Sequence, residues 1–202
     1  MTVIVGIAGR AGAGKSAAAN ALARSGMFDV VSFATPIKEM AAAFLMAGFG
    51  YSRTDVDIYL QQKQRVIHEI GVSMRHILQT LGTEWGRQQV ARDLWILSAE
   101  DRIYNRWEAP HIVIDDVRFE DEAAFIRDHG GLLIHLVRPV VVLGDGHVSE
   151  AGVTVGVRDV VIVNDGSLDD LGAAICRAVD RFVSGGDRLL ELCLTPCADY
   201  RG

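Results

Sequence analysis

The sequence predicts an α/β protein of three layers, with a five-stranded, mainly parallel sheet between helices, an inserted helical block and a small lid. Three observations predict it. Short β-branched apolar runs alternate with helix-length segments along the chain. The first run leads through the glycine-rich stretch Gly9-Arg10-Ala11-Gly12-Ala13-Gly14-Lys15-Ser16 into the first helix. A later run, His111 to Val117, carries two adjacent carboxylates, Asp115 and Asp116, near its end. Strands separated by helices in this order call for right-handed crossovers and a sheet covered on both faces.

The elements follow in order. Val3 to Ala8 reads as the first strand, Lys15 to Arg24 as an Ala/Leu-rich helix with Gly26 past its end, and Val30 to Ala34 as the second strand. Pro36 suits the opening of a helix to about Phe49, with Ile37, Met40, Ala41, Phe44 and Leu45 at core spacing. Residues 50–72 are polar and weakly patterned, and read as an excursion from the core. Helices are expected at 73–81, 83–92 and 93–107, with Gly82 breaking the first pair and Thr83 and Asp93 as N-caps. This block is too long for a simple crossover and suits closure over a second substrate. Strands at 111–117, 132–137 and 160–163 and helices at 120–128 and from Ser167 to about Val183 complete the pattern, with a lid over 138–158. The whole reads as one domain over 1–183, with the insertion at 50–108 and a tail at 184–202.

Composition narrows the function. The chain has 202 residues, half of them apolar, which is enough for one well-buried core. A net charge of −6 argues against a surface built for polymeric nucleic acid, so a nucleic-acid link would be to a monomer unit. Strand residues start at Val3 without a basic leader, and no apolar run reaches membrane-spanning length, so the cytoplasm is the expected location. Cys176, Cys193 and Cys197 are an odd count without a partner Cys/His pair, and read as incidental thiols rather than a disulfide or metal framework.

The glycine-rich stretch fits the phosphate-binding loop G-x-x-x-x-G-K-[ST]. Small residues at Gly9, Ala11, Gly12, Ala13 and Gly14 let successive N–H groups turn inward; Lys15 adds a full positive charge and Ser16 a hydroxyl able to ligate Mg²⁺. The helix from Lys15 through Ala17 aims its positive end at the same point. Side chains alternate along 111–117, so only one of Asp115 and Asp116 can face this loop. Transferring a phosphoryl group to a second small molecule needs several cations, and Arg75, Arg87, Arg118 and Arg138 stand at element ends or on the inserted helices. Lys38 lies just past the carboxyl end of a strand, where ligands gather in open α/β sheets.

The stretch Arg75-x-x-Leu78-Gln79-x-Leu81-Gly82-Thr83-Glu84-Trp85-Gly86-Arg87, followed by Asp93-Leu94-Trp95, resembles the phage deoxynucleoside monophosphate kinases. Asp116-Val117-Arg118-Phe119-Glu120-x-Glu122-Ala123, the Phe33-Ala34-x-Pro36-x-Lys38 turn and Asn164-Asp165-Gly166-Ser167-Leu168 resemble that family too. The resemblance implies a P-loop kinase fold, ATP and Mg²⁺ as cofactors, and transfer of the γ-phosphate to a 2′-deoxynucleoside 5′-monophosphate (dNMP). It also implies residue roles. Lys15, the loop amides, Ala17 and Asn164 would hold ATP, and Ser16 and Asp116 the Mg²⁺. Arg87 and Arg118 would fix the monophosphate, while Lys38, Arg75, Gln79, Glu84 and Trp95 line the acceptor, with Trp95 or Trp85 offering a stacking face; Asp116 could also meet the acceptor. Arg138 would be the lid cation and, with Lys15 and Arg118, catalytic; His147-x-Ser149-Glu150 resembles the family's lid. Such a phage enzyme would work in the host cytoplasm, alone or as a homodimer. A dephospho-coenzyme A kinase and a nucleotide-binding switch with no acceptor remain the competing readings.

Overall fold

The computed structural model describes residues 2–105, 110–139 and 152–184. The chain forms two compact units, Met1–Ser32 together with Arg102–Gly202, and Phe33–Asp101.

In the first unit β1 (Ile4–Ala8), β2 (Phe28–Val31), β5 (His111–Val117), β6 (Leu132–Val137) and β7 (Val160–Val163) form one sheet in the order β2-β5-β1-β6-β7, every pairing parallel. The three-layer α/β reading holds. Period-two alternation sends Val5, Ile7, Val113, Leu132 and Ile134 to one face, where they pack with Ala18 and Leu22 of α1 (Lys15–Ala23) and Leu171, Ile175 and Val179 of α7 (Leu168–Val183). On the other face, Gly6 admits Ile126 of α6 (Glu120–Asp128) beside Leu133 and Val117. Since β1 is central and successive connections leave it in opposite directions, its carboxyl end is the switch point at which such sheets bind ligands.

One irregularity matters for the site. Between Gly6 and Ala8 the register with β5 jumps from Ile114 to Val117, so β5 carries one extra residue at Asp115-Asp116. This bulge breaks the simple alternation expected through Val117.

The second unit holds α2 (Thr35–Phe49), α3 (Arg53–Gln61), a two-stranded ribbon of β3 (Val66–Ile67) and β4 (Val72–Ser73), α4 (Met74–Gln79), a π-helix (Thr80–Val90) and the start of α5 (Leu94–Tyr104). Its core is Ala41, Ala42, Leu45, Val56, Tyr59, Ile67 and Met74. Several expectations are corrected here. Residues 50–72 are ordered structure, because Ser52 accepts from Asp55 N–H and the Asp55 carboxylate accepts in return from Ser52 N–H, capping α3. Gly82 does not break a helix: α4 passes without interruption into the π-helix, with Thr83 buried inside it. Phe44 is 49% exposed rather than core. The expected helix end at Trp107, the thiols Cys193 and Cys197, and the tail beyond Ser184 lie outside the described residues.

Candidate active site

The loop between β1 and α1 is held from both sides. Gly14 sits at φ +104°, a left-handed conformation suited to glycine, and a Cβ there would lie 2.6 Å from the Asn164 side-chain nitrogen. That closeness has a use: Asn164, buried at the end of β7, donates from Nδ2 to the Ala13 carbonyl at 2.8 Å and fixes the turn. Asn164, expected at the nucleotide from resemblance, thus lies under the loop.

Lys15 extends back along the loop, its Nζ donating to the carbonyls of Gly9 at 2.7 Å and Arg10 at 3.0 Å. Arg138, at the end of β6, reaches the Gly12 carbonyl with Nη1 at 3.5 Å. Beside the loop lies a hollow walled by Gly9, Lys15, Val117, Arg118 and Gly152. Lysine and arginine therefore flank one small concavity at the amino end of α1, where the helix dipole also favours an anion.

Arg118 stands just ahead of α6, before its N-cap Phe119. The Glu122 carboxylate, buried, accepts from the Arg118 backbone N–H at 2.7 Å and from Phe119 N–H at 3.1 Å, satisfying donors that would otherwise be orphaned at the helix start.

Of the paired aspartates the expected one is corrected. Asp115, not Asp116, meets the loop: Ser16 Oγ donates to Asp115 Oδ2 at 3.2 Å. Asp116, the next residue in the bulge, is buried and accepts from Ser32 Oγ at 2.6 Å. Both aspartates stand against Ile7 where β5 carries its extra residue, so strict alternation does not separate them; their hydroxyl partners do.

The remaining marked residues belong to the second unit. Lys38 is in the first turn of α2, its N–H bonded to the Ala34 carbonyl. Arg75 and Gln79 on α4, and Glu84 and Arg87 on the π-helix, share one continuous helical rod. Arg87 Nη1 donates to the Arg92 carbonyl at 3.2 Å. Such a rod is unusual, since π-turns are mostly single insertions found at functional sites. Trp95 is corrected as a stacking face: it is 4% exposed, its indole N–H donates to the Gly82 carbonyl at 2.7 Å, and its ring lies against Gly86. Trp85, 37% exposed and 6.3 Å from Trp95 between ring centres, has the accessible indole. The lid residues His147, Ser149 and Glu150 lie outside the described residues.

The deoxynucleotide monophosphate kinase family profile matches residues 39–175, more than half of the chain. The chain belongs to the deoxynucleotide monophosphate kinase family. A protein of Acanthamoeba polyphaga mimivirus with a provisional deoxynucleotide monophosphate kinase name is 31% identical over 192 residues, covering 88% of this chain and 96% of that protein. The deoxynucleotide monophosphate kinases of Enterobacteria phage T4 and Escherichia phage RB69 are each 33% identical, over 107 and 132 residues. Those matches cover 51% and 62% of this chain, and 44% and 53% of the phage enzymes, so the chain spans about half of each. Both the sheet from β5 to β7 and the helical rod fall within the span that defines the kinase family. Among the described residues no helix is long and apolar enough to cross a membrane.

Proposed function

We propose that the protein is an ATP-dependent kinase that transfers the γ-phosphoryl group to the phosphate of a 2′-deoxynucleoside 5′-monophosphate, giving the diphosphate. One observation carries the reading. Lys15, Ser16 and Asp115 converge on a glycine-rich loop whose adjoining hollow also contains Arg118, in a chain of this family.

Phosphoryl transfer leaves little covalent chemistry to the protein, so catalysis rests on positioning and on neutralising charge spread over the moving oxygens. The amides of residues 9–14 and Lys15 hold the β- and γ-phosphates, with Ala17 N–H in the first turn of α1 and Asn164 bracing the loop from beneath. Arg118 and Arg138 face the transferring group and compensate its charge. The donor set fits Mg²⁺, a hard cation that takes oxygen ligands: Ser16 Oγ and Asp115 Oδ2 stand 3.2 Å apart. When bound with the triphosphate it supplies positive charge at the phosphate oxygens, and Ser16 and Asp115 would hold it. Asp116, buried on Ser32, is assigned to support beside that set.

On the second unit, Arg87 fixes the acceptor phosphate in a bidentate fork, with Lys38, Arg75, Gln79 and Glu84 along the nucleoside. Trp85 offers the stacking face in place of Trp95. The substrates are small and polar, suited to work in the cytoplasm of the cell or, for a phage gene, of its host.

The deciding assay couples ADP release to a panel of dNMPs. Release that depends on the acceptor supports the proposal. A rate unchanged when every dNMP is left out makes the protein a nucleotide-binding switch, and turnover with dephospho-coenzyme A alone changes the acceptor class.

A further inference from the structure

The hollow that holds Lys15 and Arg118 has one wall from a distant part of the chain, Gly152. Residues 152–159, which carry that glycine toward β7, form neither helix nor strand. Val155 and Val157 are exposed, so apolar packing does not set the position of this strap. Polar contacts do. Thr154 N–H donates to Glu120 Oε1 at 2.6 Å, and the Thr154 carbonyl accepts from Arg127 Nη2 at 2.8 Å. Arg127 also grips Asp159 through Nε at 3.2 Å and Nη2 at 2.6 Å. Asp159 in turn accepts from Gly156 N–H at 2.7 Å and lies 2.8 Å from His135 Nε2 on β6.

An ordinary surface connector does not bury a carboxylate, yet the Asp159 side chain is 2% exposed. Burial of such a charge is tolerated when it is paired and fully hydrogen-bonded, which is the case here. Both Glu120 and Arg127 come from α6, whose Glu122 accepts from the backbone N–H of Arg118 just ahead of the helix. One helix thus braces two walls of the same hollow, Arg118 through Glu122 and Gly152 through the strap.

We propose that Glu120, Arg127 and Asp159 are positioning residues for phosphoryl transfer, acting by holding the strap so that Gly152 closes the hollow over Lys15 and Arg118. This rests on the kinase reading of that hollow. The alternative is that the network only anchors β7, and Glu120 separates the two: it is half exposed, on the helix surface, and meets the strap at the N–H of the exposed Thr154.

The test uses the full chain with Glu120→Ala, Glu120→Gln and Arg127→Lys, measuring kcat and KM with ATP and dNMP, thermal midpoint, and tryptic cleavage after the exposed Arg158. Glu120→Ala should lower kcat roughly tenfold, as loss of precise placement does, with both KM values within about twofold and little change in midpoint. Cleavage after Arg158 should quicken. Glu120→Gln keeps an oxygen for Thr154 N–H and should retain most of the rate; Arg127→Lys, which loses the fork to the buried Asp159, should lose rate as Glu120→Ala does and lower the midpoint as well. The proposal is overturned by a wild-type kcat in Glu120→Ala, by an equal loss in Glu120→Gln, or by a loss that tracks only the fraction unfolded. Absence of acceptor-dependent ADP release from the unsubstituted chain is a different result: it removes the kinase reading and this proposal with it.

Discussion

Gly86 lies in the π-helix between Trp85 and Arg87, and its missing side chain is what lets Trp95 pack there. A Cβ at Gly86 would sit 2.3, 2.7 and 2.8 Å from three atoms of the Trp95 indole, where ordinary contact begins at 3.4 Å. In Gly86→Ala the ring must therefore retreat by about 1 Å, and it is buried and tied by its N–H to the Gly82 carbonyl. Overpacking costs about 1–3 kcal/mol, and a shift that breaks the indole bond adds about 1–3 kcal/mol for the group left unsatisfied. A total of about 2–6 kcal/mol, at about 2–4 °C per kcal/mol for a chain of this size, lowers the thermal midpoint by roughly 4–24 °C. Circular dichroism melts measure this directly. Another helical glycine serves as a control: Gly48 on α2 is exposed, has a helical backbone and meets only Phe44 at 3.9 Å, so Gly48→Ala should raise the midpoint, gaining about 0.5–1 kcal/mol. A Gly86→Ala protein melting within a degree of wild type would refute the packing account of this motif.

Three further outcomes are expected. Asp115→Ala should cut kcat by about 100-fold with a near-normal melt, whereas Asp116→Ala should lose about 1.5–3 kcal/mol of stability from the Ser32 bond and keep most of its rate per folded molecule; the reverse pattern would restore Asp116 to the metal. Arg87→Ala should raise KM for the dNMP about 10–100-fold and that for ATP far less, and equal effects on the two would show that Arg87 does not hold the acceptor. The last concerns acid. Burial alone would raise the Asp159 carboxyl, but Arg127, Gly156 N–H and His135 outweigh it and hold the group at about 2, below its ordinary 3.8. Its contribution is therefore present above about pH 4 and lost as pH falls toward 2, so Asp159→Asn should show a shallower drop in melting point across that window. Identical pH profiles for the two proteins would mean that the carboxylate is not held in this way.

Most of the first unit was legible in the sequence because its signals are local and strong. β5, α6, β6, β7 and α7 begin and end where apolar alternation, capping residues and glycine pairs place them. The second unit was less legible. α3 follows a capping box that uses aspartate at its third position, and β3 and β4 are two residues each, too short to show a period. No spacing distinguishes a π-helix from an α-helix, and a glycine at 82 reads as a break when it is instead the carbonyl that receives Trp95. In the site, small residues, a lysine and a hydroxyl at fixed spacing were enough to find the loop. Choosing between two adjacent aspartates required the bulge in β5, which no spacing reveals. The strap was invisible, since Glu120, Arg127 and Asp159 are ordinary surface residue types whose meeting depends on the tertiary course of the chain.

The extra residue in β5 has a consequence for anyone redesigning or aligning this strand. Asp115 and Asp116 fall together at the kink, yet each holds a different hydroxyl, Ser16 for one and Ser32 for the other. Deleting a single position there would restore the even register with β1 and leave one acid for two hydroxyls, and matching this segment to a relative one place out of step would exchange the acid on Ser16 for the acid on Ser32.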